Sequence, residues 1–122
     1  MCGFAGYIGG KFEYGYKGAE MQLAQMADMI ISRGPDSSGH WIDQKNSVAL
    51  THRRLAVLDL TNAGHQPFES QSGRYVLVYN GEIYNHLQLR SELKIGSWCG
   101  NSDTETLLAY IEEFGLESAV QK

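Results

Sequence analysis

The sequence predicts an α+β domain in which antiparallel sheets are covered by helices. Its 122 residues are enough for one domain. Of these residues, 43% are hydrophobic and 20% are charged, a composition typical of a folded core rather than of a disordered chain. Strand-like segments are followed by helix-like segments, without the regular alternation of a doubly wound parallel sheet.

The first two predicted elements are a strand over residues 2–8 and a helix over residues 19–32. Alternation along the strand puts Phe4, Gly6 and Ile8 on one face and the intervening residues on the other. The apolar residues of the helix recur at spacings of three and four: Leu23, Met26, Ala27, Ile30 and Ile31. The segment Arg33-Gly-Pro-Asp36 ends the helix, because the residue before a proline is displaced from the helical region.

The middle of the chain predicts short strands. Three of them lie near Gly39–Asp43, Ser47–Thr51 and Leu55–Leu60. After a loop over Thr61–Glu69, Arg74–Tyr79 is the clearest strand of the chain, because its residues are mostly β-branched or aromatic. These segments are expected to form the antiparallel sheets.

Two helices are predicted in the last third of the chain. The first is short and covers Asn85–Leu93. The second begins with Ser102 and Glu105, the spacing of a capping box, and Gly115 is expected to end it. Its apolar stripe consists of Leu107, Tyr110, Ile111 and Phe114. The remaining residues, Leu116–Lys122, are expected to form no closing element.

Charge and composition argue against several classes of function. The net charge of −4 argues against nucleic acid as the main partner, because phosphate binding requires a basic surface. No apolar run approaches the ~18–20 residues of a membrane helix. Two cysteines, Cys2 and Cys99, make no disulfide framework, and we expect a reducing cytoplasm. The histidines and cysteines lack metal-ligand spacing, so no metal site is expected.

Cys2 has two interpretations. Removal of Met1 would place a thiol and a free α-amine on one residue. An α-amine has a pKa of about 7.7–8.0 and can act as the general base for its own thiol. Alternatively, Cys2 is a small hydrophobic residue in a strand.

Asn80-Gly81 also has two interpretations. The pair is a favoured hairpin turn, with Glu82-Ile-Tyr84 as the returning strand. Alternatively, the Asn80 side-chain N–H and the Gly81 backbone N–H point at a developing oxyanion.

Three charged residues are candidates for binding a zwitterionic substrate. Arg54 offers a bidentate fork to a carboxylate, although it could also be a surface charge beside Arg53. Glu82 and Asp103 together could hold an ammonium group. The position of Asp103 in the first turn of a helix is equally explained by the helix dipole.

The order of the motifs resembles one known family. The segments that carry this resemblance are Met1-Cys-Gly-Phe-Ala-Gly6, Arg33-Gly-Pro-Asp-Ser-Ser-Gly39, His52-Arg-Arg-Leu-Ala-Val-Leu-Asp59, Gly64-His-Gln-Pro67, Tyr79-Asn-Gly-Glu-Ile-Tyr-Asn85 and Ser102-Asp-Thr-Glu105. In this order they closely resemble the glutaminase domain of class II glutamine amidotransferases. The branch they match best is that of the glutamine-hydrolysing asparagine synthetases.

The resemblance implies a fold and a mechanism. The fold would be that of the N-terminal-nucleophile hydrolases, with antiparallel sheets sandwiched between helices, an α/β/β/α arrangement. Cys2 would attack the side-chain amide of glutamine and form a thioester. Asn80 and Gly81 would line the oxyanion hole, and water would then release glutamate.

The resemblance also implies the residues that bind L-glutamine. Arg54 would bind its α-carboxylate, and Glu82 and Asp103 would hold its α-ammonium group. Backbone groups of the segment that includes Leu55 and Leu58 would help to position it.

The resemblance implies that residues 1–122 are a glutaminase (glutamine amidotransferase type 2) domain truncated at its C-terminal side. Ammonia would pass to a synthetase domain outside this sequence, where ATP and Mg²⁺ are expected; the glutaminase domain itself would need no cofactor. Uncovered sheet edges predict self-association. Two alternatives are open: a non-catalytic glutamine-sensing or interaction module of the same fold, and a small α+β interaction domain whose Cys2 and Asn80-Gly81 are only structural.

Overall fold

A computed structural model describes residues 1–57 and 61–122. The helices and strands of these residues are, in chain order, β1 (Gly3–Ile8), α1 (Gly15–Met29), β2 (Ser37–Asp43), β3 (Val48–Arg54), β4 (Phe68–Glu69), β5 (Val76–Leu77), α2 (His86–Glu92), α3 (Asp103–Phe114) and α4 (Leu116–Ala119). The small sheets are antiparallel, as predicted.

The chain divides into two compact units. The first unit consists of Met1–Leu55, His65–Pro67 and Val78–Asn80. The second unit consists of Ala56–Gly64, Phe68–Leu77 and Gly81–Lys122. Two short segments from the middle of the chain therefore belong with the N-terminal half.

The first unit is built on a three-stranded antiparallel sheet with β3 in its centre. Gly3 of β1 pairs with Arg53 of β3, and Phe4 pairs with His52. On the other side of β3, Gly39 of β2 pairs with the same His52. Since β1 and β2 are the outer strands, β3 is the strand whose backbone is paired along both edges.

Helix α1 covers one face of this sheet. Ala19, Leu23 and Ala27 of the helix are buried, as are Ala49 and Thr51 of β3. Because side chains alternate along a strand, residues 52 and 54 of β3 lie on the opposite face. The pattern of burial along β1 alternates as predicted, with residues 4, 6 and 8 exposed.

Helix α1 begins four residues earlier than its apolar pattern predicts. Its first turn, Gly15–Gly18, has no buried residue and so lacks an apolar signal. Tyr14 and Gly15 both have positive φ angles, and this left-handed turn starts the helix at Gly15. The helix ends at Met29, and a single 3-10 turn over Ile31–Arg33 leads to the proline that was expected to stop it.

The second unit combines a two-stranded sheet with the helices α2, α3 and α4. Phe68 of β4 pairs with Leu77 of β5. The core residues come from the three helices and the residue that follows α2: Leu89, Leu93, Tyr110, Ile111 and Ala119. The predicted stripe of the long helix is thus confirmed at Tyr110 and Ile111, whereas Phe114 is 44% exposed.

Three predicted strands differ in extent from the structure. In the predicted strand Arg74–Tyr79, only Val76–Leu77 forms a ladder, because β4 offers just two residues as partners. The predicted strand Leu55–Leu60 is not formed at residues 55–57, since the ladders of β3 with β1 and β2 end at Arg53 and Arg54; residues 58–60 lie outside the described residues. The strand predicted at Ser47–Thr51 instead continues to Arg54.

Helix α3 has the predicted ends. The Ser102 side chain accepts a hydrogen bond from the Thr104 N–H at 3.2 Å. Gly115 has a φ angle of 85°, and its N–H donates to the Ile111 carbonyl at 2.8 Å. The expectation that no element follows is wrong: α4 forms, and Ala119 packs into the core.

The contact between Gly39 and Gln66 predicts a measurable loss of stability. A Cβ added at Gly39 would overlap the Gln66 carbonyl oxygen. We expect Gly39→Ala to lower the free energy of unfolding by about 1–3 kcal/mol, the range for overpacking, and so to lower the urea midpoint. Gly96→Ala is the matched control, because a Cβ there meets nothing within 4 Å. Equal urea midpoints for the two variants would contradict the prediction.

Candidate functional site

The Cys2 thiol lies beside the backbone of Leu55. The Leu55 N–H donates to the sulfur at 3.3 Å, and the thiol lies 3.5 Å from the Leu55 carbonyl oxygen, to which it donates. This neighbour follows from the register, because Cys2 precedes the Gly3–Arg53 pair and Leu55 follows the end of β3. Cys2 is partly buried, so the sulfur has a fixed position without being sealed from solvent.

Arg54 is the last residue of β3 and the neighbour of Leu55. Its carbonyl accepts a hydrogen bond from the Asp36 N–H at 3.0 Å, which ties the predicted Arg33-Gly-Pro-Asp36 segment to the end of the strand. The alternation of β3 places Arg54 on the face opposite α1 and Arg53 on the face towards it. The first unit thus brings Cys2, Arg54 and Leu55 together.

The backbone of Tyr79, which precedes Asn80, is held by two buried side chains. The Gln66 carboxamide oxygen accepts the Tyr79 N–H at 2.6 Å. The His52 Nε2 lies 3.2 Å from the Tyr79 carbonyl oxygen. His52 is 1% exposed and Gln66 is 6% exposed. We call His52, Gln66 and the Tyr79 backbone the Tyr79 clamp.

Sequence reasoning missed the roles of His52 and Gln66. Both residues lie within motifs quoted for the resemblance, but neither was given a function. The available signal was weak: a histidine on a strand and a glutamine before Pro67. Neither position reveals that its side chain reaches a segment more than ten residues away along the chain.

The environment of His52 favours its neutral imidazole. Burial is the main cause that lowers the pKa of His52 below its ordinary value of 6.5, and the electrostatic effects of the neighbouring His65 and Arg54 act in the same direction. The hydrogen bond to the Tyr79 carbonyl opposes this change. Since a carbonyl oxygen only accepts, Nε2 must carry the proton, and the neutral ring is then the Nε2–H tautomer.

Asp103 holds the backbone next to Glu82 in the second unit. Its Oδ2 accepts the Ile83 N–H at 2.9 Å, and its Oδ1 accepts the Thr104 N–H at 2.8 Å. Asp103 is buried, whereas Glu82 is exposed. Part of the hydrogen-bonding capacity of Asp103 is therefore used to fix the segment that carries Glu82.

The start of α3 is fixed by an ion pair between the buried Glu105 and the partly buried Arg90. Glu105 accepts the N–H groups of Cys99 and Gly100 at 2.7 and 3.0 Å and pairs with the Arg90 guanidinium at 3.4 Å. The same guanidinium lies 3.9 Å from the ring centroid of Trp98. These contacts hold the loop before α3, and therefore the position of Asp103 within the second unit.

The structure decides one of the open alternatives at Asn80-Gly81. Residues 78–85 form no strand, so the hairpin with Glu82-Ile-Tyr84 as its returning strand is not made. Asn80 belongs to the first unit, whereas Gly81 and Glu82 belong to the second. Leu58, the remaining predicted site residue, lies outside the described residues.

The described residues contain neither a cluster of metal ligands nor a membrane-spanning helix. Within residues 1–57 and 61–122, no group of three or more His, Cys, Asp or Glu residues could hold a metal ion. In the same part of the chain, every helix is too short or too polar to span a bilayer.

Comparison with known proteins identifies relatives along the entire chain. Residues 1–122 match a family described as a glutamine amidotransferase domain. The chain is 39% identical over 121 residues to glutamine-hydrolyzing asparagine synthetase 1 of Bacillus subtilis, an alignment of 98% of this chain and 19% of the relative. It is 40% identical over 108 residues to glutamine-hydrolyzing asparagine synthetase 1 of Saccharomyces cerevisiae, covering 88% of this chain and 18% of the relative.

A differently named relative also matches. Amidase chry2 of Gibberella zeae is 38% identical over 99 residues, covering 78% of this chain and 14% of the relative. The chain spans about a fifth or less of the length of these curated relatives.

The buried His52 predicts a pH dependence of stability. Because the pKa of His52 is lowered in the folded protein, the unfolded chain binds a proton more readily as the pH falls below about 6.5. Stability is therefore fully present above that pH and decreases below it. We expect His52→Gln, which keeps an N–H donor but does not titrate, to reduce the loss of unfolding free energy between about pH 7 and pH 5.

The matched control for this prediction is His40→Gln. His40 lies on the α1 side of the same sheet, exposed and 3.5 Å from Glu20. Urea unfolding at several pH values gives the comparison. An unchanged pH slope in His52→Gln would contradict the prediction.

Proposed function

Because the chain belongs to the glutamine amidotransferase domain family, we propose that it is the glutaminase half of an asparagine-synthetase-like amidotransferase. It hydrolyses the side-chain amide of L-glutamine to glutamate and ammonia. The ammonia is delivered to a synthetase domain, which binds ATP and Mg²⁺ and activates an acceptor carboxylate; aspartate is the default acceptor.

The proposed nucleophile is the Cys2 sulfur after removal of Met1. The sulfur attacks the carbonyl carbon of the glutamine side chain, and the carbonyl oxygen becomes an oxyanion. The freed α-amine of Cys2 takes the thiol proton and passes it to the leaving nitrogen, which departs as ammonia and leaves a thioester. Water then attacks the thioester, releasing glutamate and restoring the thiol.

The remaining roles follow the sequence prediction. The Asn80 side chain and the Gly81 backbone N–H stabilise the oxyanion. In enzymes generally, electrostatic stabilisation of this kind is usually the largest single contribution to the rate enhancement. Arg54 binds the α-carboxylate of glutamine, with help from backbone groups at Leu55 and Leu58. Glu82 and Asp103 bind the α-ammonium group.

The observation that carries this proposal is the contact between Cys2 and Leu55. The sulfur contacts Leu55 at the end of β3, the residue that follows Arg54, which is proposed to bind substrate. A nucleophile and a substrate-binding cation fixed by the same strand register would be held at a constant separation, as positioning of a bound amino acid requires.

The fold and assembly belong to the same proposal. The small antiparallel sheets and helices are compatible with the α/β/β/α sandwich of the N-terminal-nucleophile hydrolases, and we propose that fold for the complete domain. Among the described residues, β1 and β2 each pair with a strand along one edge only, and this supports the proposed self-association, because the other edge can pair with a further strand.

The catalytic role of Cys2 predicts complete dependence of glutaminase activity on this residue. In the full natural polypeptide with Met1 removed, we expect Cys2→Ala to abolish glutamate release and to prevent covalent labelling by an electrophilic glutamine analogue. Cys99→Ala is the matched control, because Cys99 is also a free cysteine and is more exposed. Mass spectrometry locates the label, and an enzymatic glutamate assay measures turnover.

Three results would overturn this mechanism in different ways. Turnover that survives Cys2→Ala would refute the nucleophile. Glutamine binding without turnover in the trimmed protein would favour the glutamine-sensing or interaction module. The absence of both glutamine binding and turnover would favour the small interaction domain in which Cys2 is only structural.

The role of Arg54 predicts a loss of substrate selectivity. We expect Arg54→Gln to reduce kcat/KM for glutamine by about 10–100-fold, the effect of losing one charge-assisted hydrogen-bonding group. The variant should no longer prefer glutamine over 4-aminobutanamide, which lacks the α-carboxylate. Arg53→Gln, on the other face of β3, should keep that preference. An Arg54→Gln variant that still prefers glutamine would refute the assignment.

A further inference from the structure

We propose that His52 and Gln66 are positioning residues of the glutaminase reaction, which hold the Tyr79 backbone so that the Asn80 carboxamide is fixed as an oxyanion donor. This inference rests on the proposed function, because it names the residues that support Asn80, one of the two groups proposed to stabilise the oxyanion. It adds two residues that touch neither substrate nor nucleophile in the proposed mechanism.

The peptide geometry makes Tyr79 the residue through which Asn80 is aimed. The Tyr79 carbonyl belongs to the planar peptide unit that ends at the Asn80 Cα. A hydrogen bond from His52 to that carbonyl therefore fixes the plane from which the Asn80 side chain starts. The hydrogen bond from the Tyr79 N–H to Gln66 fixes the preceding plane. With both planes fixed, rotation of the Tyr79 backbone is restricted.

One positioning side chain is in the sheet of the first unit, and the other lies against that sheet. His52 is in the central strand and pairs with Phe4 on one side and Gly39 on the other. The missing side chain at Gly39 leaves room for the Gln66 carbonyl and the His65 ring to lie against β2. The clamp thus combines a residue of the central strand with a residue of a segment packed closely against β2.

The chemistry of His52 suits a permanent donor rather than an acid or a base. Its Nε2–H is directed to the Tyr79 carbonyl, and its buried Nδ1 has no hydrogen-bond partner among the described residues. The neighbouring His65 and the Arg54 guanidinium both disfavour a second proton on the ring and so lower the pKa of His52. A neutral ring keeps the same hydrogen bond throughout the reaction.

The expected effect lies in turnover rather than in binding. Loss of an oxyanion donor costs about 10²–10³-fold in kcat, and a displacement of about 1 Å can cost 10²-fold. Since the clamp variants would misplace the donor without removing it, we expect kcat to fall about 10–100-fold and KM to change less than about 2-fold.

The experiment pairs variants that delete each hydrogen bond with variants that keep it. His52→Leu removes the donor, whereas His52→Gln places an amide N–H near the original Nε2. Gln66→Met removes the acceptor, whereas Gln66→Glu keeps an oxygen. His40→Leu is the control on the other face of the sheet. Steady-state kinetics with glutamine are measured on the trimmed full-length protein, with urea unfolding as the check on folding.

A fall in kcat for His52→Leu and Gln66→Met, with recovery in His52→Gln and Gln66→Glu and no effect of His40→Leu, would support the inference. An unchanged kcat in the deletion variants would overturn it. A parallel loss in all four clamp variants, together with lower urea midpoints, would also overturn it, because the residues would then be structural only.

Failure of the proposed function can be distinguished from failure of this inference. If the trimmed wild-type protein shows no Cys2-dependent turnover, the proposed function fails. The clamp is then judged by hydrogen exchange of the Tyr79 amide. Faster exchange in Gln66→Met than in Gln66→Glu would support the clamp, and equal exchange would overturn it.

Discussion

The double pairing of the central strand β3 is the constraint on which the first unit depends. Its register with β1 and β2 is fixed on both edges, and its side chains must alternate between two faces. Ala49 and Thr51 are therefore buried towards α1, while His52 and Arg54 lie on the other face. A shift of one residue would exchange these two sets and place His52 against the helix. The apolar core of the unit and its chemical face are consequences of the same register.

The same register explains why residues far apart in the chain belong to one unit. Cys2 reaches Leu55 because β1 runs antiparallel to β3, so that β1 begins beside the residues where β3 ends. Gln66 and Tyr79 are added to this unit through the face that carries His52. The second unit is held differently: the buried Glu105 pairs with the partly buried Arg90 and accepts hydrogen bonds from the backbone of the loop before α3.

Local patterns predicted the elements that depend on local interactions. The first strand, the long helix α3 and its end at Gly115 agree with the structure, because alternation, helical spacing and capping are read within a few residues. The strand predicted over Arg74–Tyr79 is limited to Val76–Leu77 in the structure. Ladder formation requires a partner strand, and a β-branched composition does not show where that partner ends. The start of α1 was missed for the opposite reason: its first turn is exposed, so it contributes nothing to the apolar pattern.

The candidate site shows the same division between local and distant information. Cys2, Arg54 and Asn80 could be named from the sequence, because each carries chemistry in its own side chain and lies in a recognisable motif. His52 and Gln66 could not, since their contribution exists only once Tyr79 lies next to them. In an ordinary strand, the N–H and carbonyl of Tyr79 would be satisfied by a neighbouring backbone; here two side chains take that place. Side chains that replace a ladder can hold a backbone in an orientation that a ladder does not allow. This is useful at Tyr79, because the orientation of its backbone determines where the next residue, the proposed oxyanion donor Asn80, points.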